Sequence, residues 1–206
     1  MAFNFFNIFR NKSLASINED ATYKFGVLKG KGKDEIFQYP QIWIREKIAS
    51  GDRLVIAPRG NHVDLMLKLA QSWSGPYFIL YVLVVPRGEG QEAGRYQSPN
   101  SVNYSELEQF FLKYKQVFET DGRHHVWIAS ASNEGTLVYD QHNVIYAYGM
   151  LDKYESILTE QGFTSRQVKF PAPHTHHYHA ENDIKINELL NHWEWVKSPL
   201  AENDEY

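Results

Sequence analysis

Four histidines lie within residues 174–179, close to the C-terminal end of the chain. Neutral imidazole is the commonest metal ligand in proteins, so this density points to metal chemistry. Pro171 and Pro173 favour an extended backbone before the histidines, because proline fixes its own φ and restricts the preceding residue. In an extended chain His174 and His176 share one face. Two imidazoles cannot complete a catalytic zinc site, which takes three protein ligands and a water.

Other segments must therefore supply the missing ligands. The sequence offers three pairs: Asp140 with His142, Asp121 with His124, and Glu181 with Asp183. We favour Asp140 and His142, because they occupy a tight turn between two strongly predicted strands. Aspartate is also a common turn former for purely structural reasons. The predicted metal set is His142, His174, His176 and Asp140, with zinc or another divalent ion as cofactor.

Such a site predicts metal-assisted hydrolysis, in which the bound water has a pKa near 7. Asp140, His142 and Glu181 are the candidate catalytic residues, with Asp140 or Glu181 as the base. The histidine segment also fits an exposed polar loop, a strand end packed on Trp193 and Trp195, or a pH-sensitive contact with a partner.

The H-x-H-x4-E spacing of His174, His176 and Glu181 resembles the first metal motif of the cupins. The glycines that flank that motif are replaced here by Val168 and Glu188. Cupins are almost wholly β, whereas this sequence predicts helices on either side of the segment. The chain is therefore placed in no family.

The polar loop that follows the apolar run 77–86 contains Arg87, Arg95 and three glycines. Its glycine spacing is G-x-G-x-x-x-G and no helix is predicted to start there, which argues against a dinucleotide fingerprint. Arg87 and Arg95 remain candidates for holding an anionic ligand. No G-x-S-x-G elbow is present for a serine nucleophile.

Composition narrows the possible classes of protein. The 206 residues include no cysteine, which excludes disulfides, thiol nucleophiles and cysteine-based zinc sites. Residues 61–206 carry eleven Lys and Arg against nineteen Asp and Glu, which disfavours nucleic-acid binding. No apolar run is long enough for a membrane span, and no signal peptide is recognised, so we expect a cytoplasmic protein. Residues 1–10 can form a short amphipathic helix, whose phenylalanines either dock on the protein's own core or make a weak contact with a membrane surface or a partner.

The hydrophobic periodicity predicts an α+β fold, in which helices cover a mixed β-sheet. One βαβ-like unit is expected over residues 53–86, and an antiparallel three-strand meander over residues 125–148. The predicted strands are 22–28, 53–58, 77–86, 125–130, 135–140, 144–148 and 164–170. The predicted helices cover about 40–51, 61–73, 105–120 and 150–161, with one more after the histidines.

We expect residues 1–35 to form an N-terminal segment with a short strand and a flexible Gly/Lys linker. Residues 36–200 should form a single α+β domain, and residues 201–206 an acidic, frayed tail. The absence of a recognised catalytic motif favours a non-enzymatic binding module, with a protein partner and an inhibitor or immunity-like role. The alternatives are a metal-dependent hydrolase built on the histidines and an anion-binding or nucleotide-binding module that uses Arg87 and Arg95.

Overall fold

The computed structural model describes residues 24–29 and 33–204. These residues form twelve strands and four α-helices, and the expected α+β class is confirmed. The strands are β1 (Phe25–Lys29), β2 (Lys33–Ile36), β3 (Ile42–Ile48), β4 (Gly51–Ala57), β5 (Tyr77–Leu83), β6 (Gly94–Gln97), β7 (His124–Ser130), β8 (Gly135–Tyr139), β9 (Ile145–Gly149), β10 (Thr164–Ser165), β11 (His174–His176) and β12 (Val196–Ser198). The helices are α1 (His62–Ala70), α2 (Tyr104–Thr120), α3 (Leu151–Glu160) and α4 (Asp183–Leu190).

Nine strands form one mixed sheet in the order β10-β3-β4-β9-β8-β7-β5-β6-β12. All neighbours pair antiparallel except β10 and β3, which are parallel. The predicted meander is present as β7, β8 and β9. Strands β4 and β5, which α1 connects, run in the same direction but have β9, β8 and β7 between them. The remaining strands form a three-stranded antiparallel sheet in the order β11-β1-β2.

The two faces of the nine-stranded sheet are covered differently. One face packs against the helices in the main hydrophobic core, to which β4 contributes Leu54 and Ile56. The alternate residues of β4, Val55 and Ala57, point to the opposite face and join a smaller cluster with Phe25 of β1. The three-stranded sheet therefore lies against the face that the helices leave uncovered.

The helix expected over residues 40–51 is wrong, because this segment forms β3. Ile42, Trp43 and Ile48 fit a helical spacing, yet isoleucines also recur at positions 42, 44 and 48 with the period of two that a strand requires. β-Branched residues favour a strand when two neighbouring strands are available for pairing. Here β3 pairs with both β4 and β10.

Two further boundaries differ from the prediction. The strand expected over residues 164–170 is limited to Thr164–Ser165, and the loop expected over residues 87–103 contains β6. Strand β6 is polar and short, so hydrophobic periodicity does not reveal it. It is held between β5 and β12 by backbone pairing.

The helix starts also differ in their capping residues. Helix α2 is capped by a reciprocal pair, in which the Asn103 side chain accepts from the Glu106 amide and the Glu106 carboxylate accepts from the Asn103 amide. The capping residue therefore lies two positions before the predicted start of this helix at residue 105. Asn61 precedes α1, but its side chain makes no capping hydrogen bond, and its φ is 55°. Glu119 of α2 accepts from the amide of Val63 instead.

The amphipathic helix predicted for residues 1–10 lies outside the described residues. In residues 24–29 and 33–204, no helix has the length and apolar character that a membrane span requires.

Candidate metal centre

His142 lies in the tight turn between β8 and β9, which Asp140 organises. Oδ1 of Asp140 accepts hydrogen bonds from the backbone amides of His142 and Val144, at 2.9 and 3.0 Å. Asn143 adopts a left-handed conformation with φ 60°, as asparagine readily does, and accepts a hydrogen bond from the Tyr139 hydroxyl. The turn therefore presents His142 from a fixed backbone.

His174 and His176 lie on β11, which pairs with β1 at one edge of the smaller sheet. The register places His176 opposite Phe25 and His174 opposite Val27. Alternation along the strand places both histidines on one face, as predicted for an extended chain. The Phe25 ring lies on the same face, with its centroid 5.3 Å from that of His174 and 5.6 Å from that of His176. Phe25 is buried and also contacts His142, at 5.5 Å.

The rings of His142, His174 and His176 converge on one point. The ligand nitrogens of the three residues lie within 4.8 Å of one another. Their ring centroids are separated by 5.2, 4.8 and 5.3 Å. Three imidazole nitrogens on a tetrahedral zinc ion lie about 3.4 Å apart, because each Zn–N bond is about 2.1 Å. Small rotations of the side chains would therefore bring these nitrogens to zinc distances.

Each imidazole also has a contact that orients its ring. Nδ1 of His142 lies 2.9 Å from Oδ2 of Asp140, and Nδ1 of His174 donates to the carbonyl of Pro171 at 3.0 Å. These contacts occupy Nδ1 of both residues and leave Nε2 as the nitrogen that could bind a metal. His176 hydrogen-bonds the backbone of Gln141, while its buried Nδ1 has no hydrogen-bond partner in the described part of the chain. Metal-bound histidines typically have such outer contacts, which fix the tautomer.

The electrostatics of the group favour a neutral His176 and an ionised Asp140. The pKa of His176 is lowered to about 4, mainly by burial and to a smaller extent by the neighbouring His142 and His174. His176 is therefore neutral at neutral pH, as a metal ligand must be. Burial alone would raise the pKa of Asp140, but its hydrogen bond and charge interaction with His142 hold that pKa below its usual value. An ionised Asp140 accepts the Nδ1 proton of His142.

A cavity of about 700 Å³ opens beside the histidines on the face of the large sheet opposite the helices. His142 and His174 line the cavity, and so connect it to the three-histidine group. Its floor comes from alternate residues of adjacent strands, and Phe170 and the segment around Ala201 contribute to its walls. The lining residues from the strands and the turn are Arg53, Arg95, His125, Trp127, Val138, Asp140, Tyr146 and Tyr148. This volume is typical of small-molecule sites.

The structure separates the remaining predicted site residues from this group. The Glu181 side chain is 56% exposed, lies 3.7 Å from Nδ1 of His179, and does not line the cavity. Arg87 donates to the carbonyl of Tyr178 and lies 3.6 Å from Asp183, also away from the cavity. Of the two predicted arginines, only Arg95 lines the cavity.

Asp121 and His124, which the sequence offered as further ligands, are both buried elsewhere. Asp121 pairs with Arg123 at 2.8 Å and accepts from the amide of His179. The His124 ring packs against Tyr81 and Phe118, and burial lowers its pKa well below the usual value. Both residues are therefore part of the buried interior and do not belong to the three-histidine group.

Sequence reasoning missed several residues of the site, above all Phe25, Arg53, Trp127 and Tyr146. Alternation along a strand could have indicated some of them. Residues 146 and 148 on β9, for example, are both tyrosines, so they share the face of the sheet that points away from the helices. Register between distant strands decides which of these side chains meet, and this register is not visible in one sequence.

No protein-family model, curated protein or solved structure matches the chain.

Proposed function

We propose that the chain is a metal-dependent hydrolase, in which His142, His174 and His176 bind zinc or another divalent ion at the edge of the cavity. The observation that carries this proposal is the convergence of the three ligand nitrogens within 4.8 Å of one another. Outer hydrogen bonds to Asp140, Pro171 and Gln141 add support, since each orients one ring.

Three histidine ligands leave a fourth position for water or substrate, which is typical of catalytic rather than structural zinc. The metal would supply Lewis acidity and a water of lowered pKa, near 7. Both carboxylate oxygens of Asp140 are engaged by the turn and by His142, so Asp140 is a positioning residue. Phe25 contacts all three rings and excludes water from their buried side.

The first test is metal content, measured by ICP-MS on protein purified without a histidine tag and dialysed against zinc. We expect about one zinc per chain in the wild type and a loss of zinc in His142→Ala and in His176→Ala. His192→Ala is the matched control, because His192 contacts Tyr114 and lies outside the cavity. A wild type that holds neither zinc nor another divalent ion would overturn the proposal.

Hydrolysis is the second readout, measured with activated carboxylic and phosphoric esters. Activity should require added metal, be abolished in His142→Ala and persist in His192→Ala. Zinc binding without any ester hydrolysis would reject the catalytic part of the proposal and leave a metal-binding protein.

The non-enzymatic binding module with a protein partner remains the alternative hypothesis, and its cytoplasmic location stays a prediction from composition. It would be supported if the histidine variants bound a purified partner as tightly as the wild type does. No contact in the described residues favours a particular partner.

A further inference from the structure

The floor of the cavity is an apolar row that crosses three adjacent strands. Val138 of β8 is in register with Trp127 of β7 on one side and with Tyr146 of β9 on the other. Neighbouring strands lie about 4.8 Å apart, so the backbones that carry Trp127 and Tyr146 are separated by about 10 Å. A flat ring can lie on Val138 between these two aromatic side chains.

Two arginine side chains extend over this floor from opposite sides. The guanidinium carbon of Arg53, on β4, lies 4.5 Å from the centre of the Tyr146 ring. The guanidinium carbon of Arg95, on β6, lies 5.1 Å from the centre of the Trp127 ring. Both side chains thus point toward the centre of the sheet, and cations stacked on aromatic rings remain able to donate hydrogen bonds in the ring plane.

The cavity already holds one carboxylate from the chain itself. Nη1 of Arg95 lies 2.9 and 3.0 Å from the two oxygens of Asp204, which also lines the cavity. The side chain of Asp204 is 4% exposed, so this carboxylate is bound inside the cavity wall. A carboxylate therefore fits the surroundings of Arg95. Arg53 is paired with Glu46, which is substantially exposed and thus a weaker competitor for an incoming anion.

The charges of the lining favour an anion when metal is bound. Arg53 and Arg95 are balanced by Asp140 and Asp204, and Glu46 beside Arg53 adds one negative charge. A divalent ion on neutral histidines still leaves the site with a net positive charge. Two ring nitrogens of the lining are also unused. Nε2 of His125 and Nε1 of Trp127 are buried and have no hydrogen-bond partner among the residues described. Both can serve a polar ligand.

We propose that this cavity binds a small aromatic carboxylate, with its ring on Val138 between Trp127 and Tyr146 and its carboxylate held by Arg53 and Arg95. The inference rests on the proposed function, because such a ligand would be the substrate or product of the hydrolysis at the histidines. The substrate class is then an aryl compound that carries a free carboxylate and a hydrolysable group.

The test uses 2-naphthoate as the probe, with binding measured by isothermal titration calorimetry. We expect 2-naphthoate to bind both EDTA-treated and zinc-loaded protein, and the uncharged 2-naphthamide to bind at least about tenfold more weakly. Arg53→Gln and Arg95→Gln should each weaken 2-naphthoate by about tenfold, which corresponds to loss of one charge-assisted contact. Arg59→Gln is the matched control, since Arg59 is exposed and does not line the cavity.

Asp204→Asn provides a change in the opposite direction. It removes the carboxylate that competes for Arg95, so 2-naphthoate should bind more tightly than to the wild type. Equal affinity for 2-naphthoate and 2-naphthamide would overturn the inference, as would unchanged binding in both arginine variants. Tighter binding of 2-naphthyl phosphate than of 2-naphthoate would overturn the assignment of a carboxylate.

The EDTA-treated protein separates this inference from the proposed function. Zinc binding without 2-naphthoate binding rejects the ligand class and leaves the metal site intact. Binding of 2-naphthoate to a protein that takes up no zinc rejects the hydrolase. That result still supports a cavity that binds aromatic carboxylates, but no longer as substrates or products of hydrolysis.

Discussion

Oδ2 of Asp140 lies 2.9 Å from Nδ1 of His142, while Oδ1 of the same carboxylate accepts the amide of His142 at 2.9 Å. One side chain thus shapes the turn and also selects the tautomer of the histidine within it. Because the ionised carboxylate only accepts hydrogen bonds, Nδ1 of His142 carries the proton and Nε2 keeps its lone pair for a metal.

Asp140→Asn should therefore weaken zinc binding by about 10- to 100-fold. The asparagine oxygen can still accept the backbone amides, but its NH2 group would face Nδ1 of His142 and favour the tautomer with a proton on Nε2. Zinc affinity is measured by competition with a chromogenic chelator. Unchanged affinity in a folded Asp140→Asn protein would show that the carboxylate does not orient the ligand.

Zinc should also stabilise the fold, because the three histidines come from two segments that are distant in sequence. At a free zinc concentration about 100 times the dissociation constant, the gain is about 2.7 kcal/mol. For a domain of this size we expect the melting temperature to rise by about 5–10 °C. Differential scanning calorimetry with zinc and then with excess EDTA measures the shift. The His142→Ala protein should show no shift, and a shift equal to that of the wild type would contradict the site.

How much of this arrangement the sequence predicts depends on the residue. Local rules place His174 and His176 on one face of an extended segment, and turn chemistry places Asp140 and His142 in a hairpin. Both expectations describe what the structure contains. Neither rule shows that the histidine segment meets the hairpin. Strand β11 is positioned by its pairing with β1, which lies about 150 residues earlier in the chain.

The aromatic and cationic cavity is less accessible to sequence reasoning. The helix predicted over residues 40–51 leaves out β3, the strand that pairs with β4 and places Glu46 opposite Arg53. Strand β6 is too short and polar to detect, so Arg95 was expected in a loop, although it lies on a strand with its guanidinium over Trp127. Long-range register, which decides these contacts, leaves no periodic signal in a single chain.

His62 should make the metal-free protein lose stability in mild acid. Burial lowers its pKa to about 3, whereas an exposed histidine titrates near 6.5, so the unfolded chain binds a proton between these values and the folded chain does not. Its contribution to stability is complete above about pH 6.5 and is lost as the pH falls from there toward 3, by about 2 kcal/mol at pH 5. His62→Phe, which can keep the stacking on Tyr139, should remove this part of the pH dependence. Urea denaturation of both proteins at pH 7 and pH 5, in EDTA, measures it, and equal losses in the two proteins would contradict the assignment.

Arg123 connects the histidine segment to the interior, so its loss should affect both stability and metal binding. Its side chain is 0% exposed and lies between Asp121, at 2.8 Å, and Asp183 of α4, at 2.7 Å. Asp121 also accepts the amide of His179, three residues after His176. Arg123→Met would leave Asp121 buried and unpaired, and should cost about 3–5 kcal/mol in urea denaturation. Adding Asp121→Asn should recover part of that loss, because the unpaired charge is then removed. If the double variant is no more stable than Arg123→Met, then lost packing rather than the unpaired charge dominates at this position.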